Sequence, residues 1–223
     1  MIMRAVCLVI GYACGLFQTS YIYGKMKGID IRQHGSGNAG TTNMLRTLGT
    51  KAGLITFFGD VFKCIAAVLI CLAIFYRPDV NPEMMQIIKI YASAGAILGH
   101  NFPFYLGFKG GKGIACTAGW IITMDPVLVL IGLVVFFGIF FTTHYVSLGS
   151  ICLYISFFIE LVIMGALRLG HFKNLTTAGY IECVIITGLL CAMALFRHRE
   201  NIIRLIHHNE KKTYIFNKGE MNS

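Results

Sequence analysis

Two glycine-rich polar stretches of the chain combine the residue types that proteins use to hold phosphate groups. The first occupies residues 35–43, reads GSGNAGTTN, and is followed closely by Arg46. Its glycines let backbone N–H groups converge on an anion, and Arg46 can add two parallel charge-assisted hydrogen bonds. A flexible loop with helix-capping residues, followed by an arginine placed by membrane topology, fits the same pattern. The candidate substrate-binding residues here are Ser36, Gly37, Asn38, Thr42 and Asn43.

The second stretch occupies residues 99–113, reads GHNFPFYLGFKGGKG, and leads into an apolar run. Its last four residues resemble a phosphate-binding turn at a helix N-terminus, where backbone donors and the helix dipole favour an anion. The spacing of a Walker A loop, GxxxxGK[ST], is missing, which disfavours nucleotide hydrolysis. Asn101 fits a substrate contact or a packing role equally well. The candidate phosphate-binding residues are Gly110, Gly111, Lys112 and Gly113.

Two further polar stretches supply candidate catalytic side chains. Residues 142–150 read TTHYVSLGS, and Ser147 could contact a substrate, although a membrane serine more often bonds a carbonyl of its own helix. Residues 196–205 read FRHRENIIRL, which on one continuous helix places His198 and Asn201 on the same face at i and i+3. A basic amphipathic tail lying on anionic lipid explains the arginines but requires neither His198 nor Asn201.

The composition places these stretches in a membrane protein. Of 223 residues, 56% are hydrophobic and 13% charged, and the mean hydropathy is +0.70. The net charge of +9 comes from basic residues in short loops between apolar runs, so we predict no nucleic-acid partner. All eight cysteines lie in apolar stretches without paired spacing, so we predict neither a disulfide framework nor a metal site, and no cofactor.

The apolar runs predict an all-α fold with about seven transmembrane helices. The fourth is short and ends at Asp125 and Pro126, which indicates a tilted or partial helix held by its neighbours. We expect one polytopic membrane domain over residues 1–223. The predicted spans lie at about 3–23, 53–76, 86–106, 113–124, 127–142, 148–168 and 178–196.

Lysine and arginine counts predict the orientation. Thirteen of these residues fall on the side that carries the polar motifs, and five on the other side, so the motif side is predicted to be cytoplasmic. Seven crossings then place the N-terminus outside and the C-terminus in the cytoplasm. The predicted cytoplasmic segments are the loops at about 24–52, 107–112 and 143–147 and the tail at 197–223.

Three ordered motifs closely resemble those of the acyl-phosphate-dependent glycerol-3-phosphate acyltransferases of bacteria, the PlsY family. They read GSGNAGTTNxxR, GHNFPFYLGFKGGKG and HRENIxRL. The resemblance covers essentially the whole chain. It implies a multi-pass protein of the bacterial inner membrane, with its active site at the cytoplasmic face. It further implies transfer of a fatty acyl group from acyl phosphate to the 1-hydroxyl of sn-glycerol 3-phosphate, which is the first acylation step of phospholipid synthesis.

The same resemblance implies substrate-assisted catalysis without a protein nucleophile, in which a substrate phosphate takes the hydroxyl proton. His198 is the alternative base, because its ordinary pKa lies near neutrality. One departure from the family pattern is His208, where relatives usually carry glycine before the glutamate that is Glu210 here. The implied catalytic residues are Arg46, Lys112, Ser147, His198 and Asn201.

Two other function classes fit part of the pattern. An organic-phosphate transporter would also need basic ligands, and the intramembrane Asp60, Lys63, Glu160 and Glu182 are compatible with one, although Asp60 and Lys63 could simply pair one turn apart. A membrane scaffold with a basic tail leaves the glycine-rich loops unexplained. The predicted partners are the two substrates and membrane lipids, with transient docking of the acyl-phosphate-producing enzyme as a further possibility.

Overall fold

A computed structural model describes residues 1–77 and 81–214 of the chain. All regular elements in these residues are helical, as the apolar pattern predicts. Residues 78–80 of one predicted turn and residues 215–223 of the predicted tail lie outside the described residues. The helices are α1 (Ile2–Gly15), α2 (Thr19–Met26), α3 (Thr41–Leu48), α4 (Thr50–Phe75), α5 (Pro82–Asn101), α6 (Ile114–Met124), α7 (Pro126–Thr143), α8 (Val146–Ala166), α9 (Thr177–Arg197) and α10 (Arg199–Ile206).

Several of these helices have the length and hydropathy of a membrane span. The predicted short fourth span corresponds to α6, an apolar helix of only 11 residues. Helix α5 has 20 residues but a more polar sequence. The number of crossings and the orientation therefore stay predictions. The five stretches that are long and apolar enough to cross a membrane are Ile2–Met26, Thr50–Phe75, Pro126–Thr143, Val146–Ala166 and Thr177–Arg197.

Helices α1 and α5 pack backbone against backbone, because glycines spaced four residues apart face each other. A Cβ on Gly95 would lie 2.2 Å from the carbonyl oxygen of Leu8, and a Cβ on Gly99 would lie 2.2 Å from that of Tyr12. Only glycine permits so close an approach, which is the usual role of small residues at membrane helix interfaces. This contact fixes the C-terminal end of α5, from which the second polar stretch departs.

The predicted first span is wrong as one continuous helix over residues 3–23. It breaks between Gly15 and Thr19, and Gln18 is fully buried in the gap. The Gln18 amide Nε2 donates to the carbonyl oxygens of Gly99 and His100 at 3.3 and 3.0 Å. The break satisfies these carbonyl groups at the end of α5, which no helical pattern in the first span could indicate.

Other predicted boundaries also differ from the structure. The third span begins at Pro82 rather than 86, because Asn81 caps the helix by accepting the Glu83 N–H at 2.9 Å. The predicted loop 24–52 contains α3 and the start of α4, and only residues 144 and 145 separate α7 from α8. The C-terminal stretch is two helices rather than one, since α9 ends at Arg197 and α10 begins beyond His198.

Candidate active site

The second loop, residues 102–113, ends at the N-terminus of α6. Gly113 is the residue before the helix and has a φ of +83°, a left-handed conformation that favours glycine. No side chain in the described part of the chain caps the first turn of α6. The first N–H groups of a helix lack carbonyl partners within the helix, so this end can bind an anion.

A buried ionic cluster lies directly beneath this loop. The Lys63 ammonium is 2.8 Å from Asp60 Oδ1, 2.8 Å from the carbonyl oxygen of Phe17 and 2.8 Å from His100 Nδ1. Thr19 donates a further hydrogen bond to Asp60 at 3.1 Å. Because an ammonium can only donate, His100 Nδ1 accepts and the ring proton resides on Nε2. The predicted pairing of Asp60 with Lys63 is thus present, and it also fixes the imidazole.

Gly111 packs against this fixed imidazole. A Cβ at Gly111 would lie 2.0 Å from His100 Nε2 and 2.9 Å from the carbonyl oxygen of Ala39. The Gly111 N–H also donates to the His100 carbonyl at 3.1 Å. The first and second loops therefore meet at Gly111, where no larger residue fits without displacing one of them.

Arg197, the last residue of α9, holds the same loop from the other side. Its Nη2 donates to the carbonyl oxygens of Gly110 and Gly111 at 3.0 and 2.7 Å, and its guanidinium lies 5.4 Å from the ring centroid of Phe102. The N–H groups of the same two residues are also bonded, that of Gly110 to the carbonyl oxygen of Asn101 at 3.2 Å and that of Gly111 to His100 as described above. Arg197 thus stabilises the shape of the loop.

Five residues from three parts of the chain form a connected group, here called the Glu210 cluster: Ser147, Lys112, Asn201, Arg204 and Glu210. Lys112 Nζ donates to Asn201 Oδ1. Glu210 Oε1 accepts from Asn201 Nδ2 at 2.8 Å and from Ser147 Oγ at 2.9 Å, and Oε2 accepts from Arg204 Nε at 2.7 Å. Three of the five predicted catalytic residues, Lys112, Ser147 and Asn201, therefore lie together.

The electrostatics of the Glu210 cluster set the charge of its two central groups. Burial, assisted by the positive charge of Arg204, lowers the pKa of Lys112 to about 8. Burial alone would raise the pKa of Glu210, but the hydrogen bonds from Arg204, Asn201 and Ser147 outweigh it, and the net pKa is lowered. At neutral pH the cluster thus holds a carboxylate and an ammonium that is readily deprotonated in alkaline solution.

His198 lies between α9 and α10 and is 3% exposed. Its Nδ1 is 2.8 Å from the carbonyl oxygen of Ala194, so Nδ1 carries the proton and Nε2 is an acceptor. Burial, together with the charge of Lys112, lowers the pKa of His198 to about 4. The imidazole is therefore neutral at physiological pH, and it is a weak base.

Arg46 reaches the C-terminal segment, residues 207–214, rather than the Glu210 cluster itself. Its Nη2 donates to the carbonyl oxygen of Lys211 at 2.8 Å and to Thr213 Oγ1 at 2.6 Å. The Thr213 N–H in turn donates to the carbonyl of His144 at 2.9 Å. Arg46 thus brings α3 against the segment that carries Glu210.

In the first loop, residues 27–40, the amide of Asn43 holds the turn together. Asn43 Oδ1 accepts the Ser36 N–H at 2.9 Å, and Nδ2 donates to the carbonyl oxygens of Ile31 and His34 at 3.1 and 2.9 Å. Asn43 is buried by these contacts, so it shapes the loop. Ser36 and Gly37 are exposed at its tip, and Asn38 and Thr42 are half-buried.

Not all predicted site residues meet. In the described part of the chain, no side-chain contact joins Ser36, Asn38 or Thr42 to the Glu210 cluster. Asn101 is fully buried beside Gly113, and its Oδ1 has no hydrogen-bond partner among the described residues.

The turn at His208 adopts the conformation that explains glycine at this position in the family pattern. His208 has a φ of +57°, and the Asn209 N–H donates to the carbonyl oxygen of Arg204 at 2.7 Å. This turn reverses the chain after α10 and carries Glu210 back under Asn201. A histidine can form the turn, at a cost of about 1–2 kcal/mol for the left-handed backbone.

Sequence reasoning missed the central position of Glu210. The residue was visible only as the last glutamate of the family motif, nine positions after Asn201. Its low exposure and its three hydrogen bonds depend on the turn at His208, which no periodicity predicts.

Comparisons with known proteins identify relatives of the whole chain. The family model described as glycerol-3-phosphate acyltransferase matches residues 5–208. A glycerol-3-phosphate acyltransferase of Clostridioides difficile is 39% identical over 209 residues, which are 92% of each chain, and one of Staphylococcus saprophyticus is 38% identical over 94% of this chain and 98% of its own. The crystal structure of PlsY (YgiH), an integral membrane glycerol 3-phosphate acyltransferase, in its glycerol 3-phosphate form, matches with a TM-score of 0.79 at 31% identity over 98% of both chains. The lysophosphatidic acid form matches with a TM-score of 0.75 at 31% identity over 95% and 96% of the two chains.

Proposed function

The chain belongs to the glycerol-3-phosphate acyltransferase family, and from this premise we propose that it transfers a fatty acyl group from acyl phosphate to the 1-hydroxyl of sn-glycerol 3-phosphate. The hydroxyl oxygen attacks the acyl carbonyl carbon and forms the ester bond of lysophosphatidic acid. The bond between that carbon and the phosphate oxygen breaks, and the phosphate leaves. The hydroxyl proton ends on a phosphate, so the reaction balances without another reactant.

The observation that carries the proposal is the position of Lys112 beside the uncapped N-terminus of α6. A transferred acyl group leaves negative charge on the departing phosphate. An ammonium and a helix N-terminus preorganised next to each other stabilise such charge in the transition state. The buried cluster of Asp60, Lys63 and His100 beneath the second loop and the hydrogen bonds from Arg197 keep these donors in place.

His198 is suited to orient the glycerol hydroxyl rather than to deprotonate it. Its unprotonated Nε2 can accept a hydrogen bond from a hydroxyl group. With a pKa of about 4, it is a weaker base than a phosphate monoester, whose second pKa is about 6. We therefore assign the proton to a substrate phosphate, in a substrate-assisted reaction in which positioning supplies much of the rate.

The remaining predicted residues take binding roles in this proposal. Ser147 and Asn201 position the Glu210 carboxylate, Asn201 also holds the Lys112 ammonium, and Arg46 supplies a second cation from α3 for the other phosphate. Ser36 and Gly37 are exposed at the tip of the first loop, where they can contact a substrate from the solvent side.

The location of the reaction is inferred from the apolar helices and from the distribution of basic residues. The chain is an integral membrane protein with several apolar helices. We place it in the bacterial inner membrane with the candidate site at the cytoplasmic face, because this side carries most lysines and arginines. The basic surface there also suits brief docking of the enzyme that produces acyl phosphate.

The proposal is tested with purified protein in a lipid environment, supplied with glycerol 3-phosphate and one of three donors: acyl phosphate, acyl coenzyme A or acyl carrier protein. We expect product only when the donor is acyl phosphate, with lysophosphatidic acid and inorganic phosphate formed in equal amounts. Product with a thioester donor but not with acyl phosphate would contradict the assigned donor. Folded protein that makes no product but moves glycerol 3-phosphate across vesicles would favour the transporter.

A further inference from the structure

A cavity whose walls are largely apolar but include several polar side chains lies at the end of the bundle opposite the candidate active site. It has a volume of about 390 Å³ and lies between the start of α5 and the connection from α8 to α9. It reaches along α5 from Pro82 to Lys89, and the rest of the helix, to Asn101, separates it from the second loop by about 18 Å. Its walls therefore belong to no part of the site described above. The polar residues that line it are Gln86, Lys89, His171, Lys173 and Asn174.

The charge of the cavity suits an anion. Lys89 is half-buried and Lys173 is exposed at the rim. The adjacent carboxylate is Asp125, which is 3% exposed and already accepts from the N–H and Nδ1 of His171 at 3.1 and 2.9 Å and from the Val127 N–H at 3.0 Å. Asp125 is therefore occupied by its own partners, and neither lysine forms an ion pair in the described part of the chain.

A second observation narrows the chemistry of the occupant. Gln86 is 4% exposed, lines the cavity, and its Oε1 has no hydrogen-bond partner among the described residues. A buried amide oxygen without a partner costs about 1–3 kcal/mol. A ligand with a hydrogen-bond donor group would remove this cost, whereas an anion without a donor would not. The cavity thus combines cations for a phosphate with an acceptor for a hydroxyl.

The position of the cavity relative to the membrane indicates the source of such a group. It lies where α5 and α9 begin and α8 ends, which is the depth at which spanning helices meet lipid headgroups. Met85 provides an apolar wall beside the polar residues. We propose that this cavity binds the headgroup of an anionic phospholipid that carries a hydroxyl, such as a glycerol headgroup, with the phosphate on Lys89 and Lys173 and the hydroxyl on Gln86.

The test measures binding of defined lipids to delipidated protein by native mass spectrometry. Phosphatidylglycerol supplies both groups, phosphatidic acid supplies the phosphate without a headgroup hydroxyl, and glycerophosphoglycerol supplies the same headgroup without acyl chains. We expect phosphatidylglycerol to bind the natural protein at least tenfold more tightly than phosphatidic acid. Tighter binding of phosphatidylglycerol than of glycerophosphoglycerol supports a lipid, while equal binding overturns the lipid assignment in favour of a free polyol phosphate.

Variants decide whether this binding belongs to the cavity. Lys89→Gln and Lys173→Gln should each weaken phosphatidylglycerol binding about tenfold, and Gln86→Met should remove the preference over phosphatidic acid. Lys51→Gln removes an exposed lysine near the opposite end of the bundle, and it should leave phosphatidylglycerol binding and the preference over phosphatidic acid unchanged. Unfolding temperature and circular dichroism establish that each variant is folded. Folded Lys89→Gln and Lys173→Gln variants that bind phosphatidylglycerol as the natural protein does would overturn the proposal.

Discussion

Replacing Glu210 by glutamine should disable the site although the two side chains have nearly the same shape. Lys112 can only donate, so Asn201 must present its oxygen to Lys112 and its Nδ2 to residue 210. A glutamine amide has one oxygen, which can face either Asn201 or Arg204. The other of these donors then meets an NH₂ group and loses its acceptor.

The size of the effect follows from this count. At least one hydrogen bond to a charged group is lost in each orientation, since Oε2 accepts from Arg204 and Oε1 from both Asn201 and Ser147, and each such bond contributes about 1.5–3 kcal/mol. At 1.36 kcal/mol for each factor of ten, kcat/KM should fall about 10-fold to 150-fold if the cluster holds Lys112 in its catalytic position.

Initial-rate kinetics with glycerol 3-phosphate and acyl phosphate measure this loss. The matched control is Glu200→Gln on α10, because Glu200 is exposed and its ion-pair partner is the exposed Arg199 at 3.8 Å. The control should stay within about twofold of the natural protein, as exposed pairs contribute little. A Glu210→Gln variant with unchanged kcat/KM would refute the reasoning.

Three further predictions concern the loops and the ionisation of Lys112. Gly111→Ala should raise the KM for glycerol 3-phosphate by a factor of about 5 to 150, because the added Cβ introduces a strain of about 1–3 kcal/mol. Adding His100→Ala to this variant restores space and should recover part of the lost affinity. A Gly111→Ala variant with a normal KM would contradict the predicted clash. His208→Gly should stabilise the protein by up to about 1 kcal/mol in denaturant unfolding, because it relieves a φ of +57°, and a lower stability would contradict this. Because Lys112 is protonated below a pKa of about 8 and neutral above it, kcat/KM should fall as the pH rises through 8. Lys112→Arg should move that decline to higher pH, and an unchanged profile would assign it to another group.

The fold class and the approximate place of the site could be predicted, because both depend on local patterns. Apolar runs of membrane length need no knowledge of tertiary contacts, and all of the regular elements described here are helical. Glycine-rich polar loops next to cations such as Lys112 identify anion-binding chemistry by residue type alone. The resemblance of three ordered motifs then predicted the family, which the comparisons confirm.

Features that depend on long-range contacts could not be predicted in this way. The break before Thr19 exists because Gln18 bonds carbonyl groups of α5, 81 and 82 positions further along the chain. Likewise, the role of His100 beneath Gly111 follows from its contact with Lys63 on α4. The roles of Gln18 and His100 have no local signal, since each is an ordinary polar residue near a helix end.

The roles of individual residues also depend on tertiary contacts that the sequence does not show. Sequence reasoning gave Asn43 and Asn101 a substrate contact because amides can bind phosphate oxygens. In the structure both amides are buried, and Asn43 holds the turn of its own loop, whereas Asn101 Oδ1 has no hydrogen-bond partner among the described residues; the substrate contacts of both residues stay predictions. An asparagine in a polar loop can serve either use, and only burial and hydrogen-bond partners distinguish them.

The most direct test of the account compares the affinity for glycerol 3-phosphate of two lysine variants in the second loop. Lys112 belongs to the Glu210 cluster, whereas Lys109 is exposed two residues before Gly111 and makes no side-chain contact in the described part of the chain. Calorimetric titration of folded protein should give a dissociation constant at least tenfold weaker for Lys112→Ala and nearly unchanged for Lys109→Ala. Equal affinities in the two variants would contradict a phosphate site built around Lys112 and the N-terminus of α6.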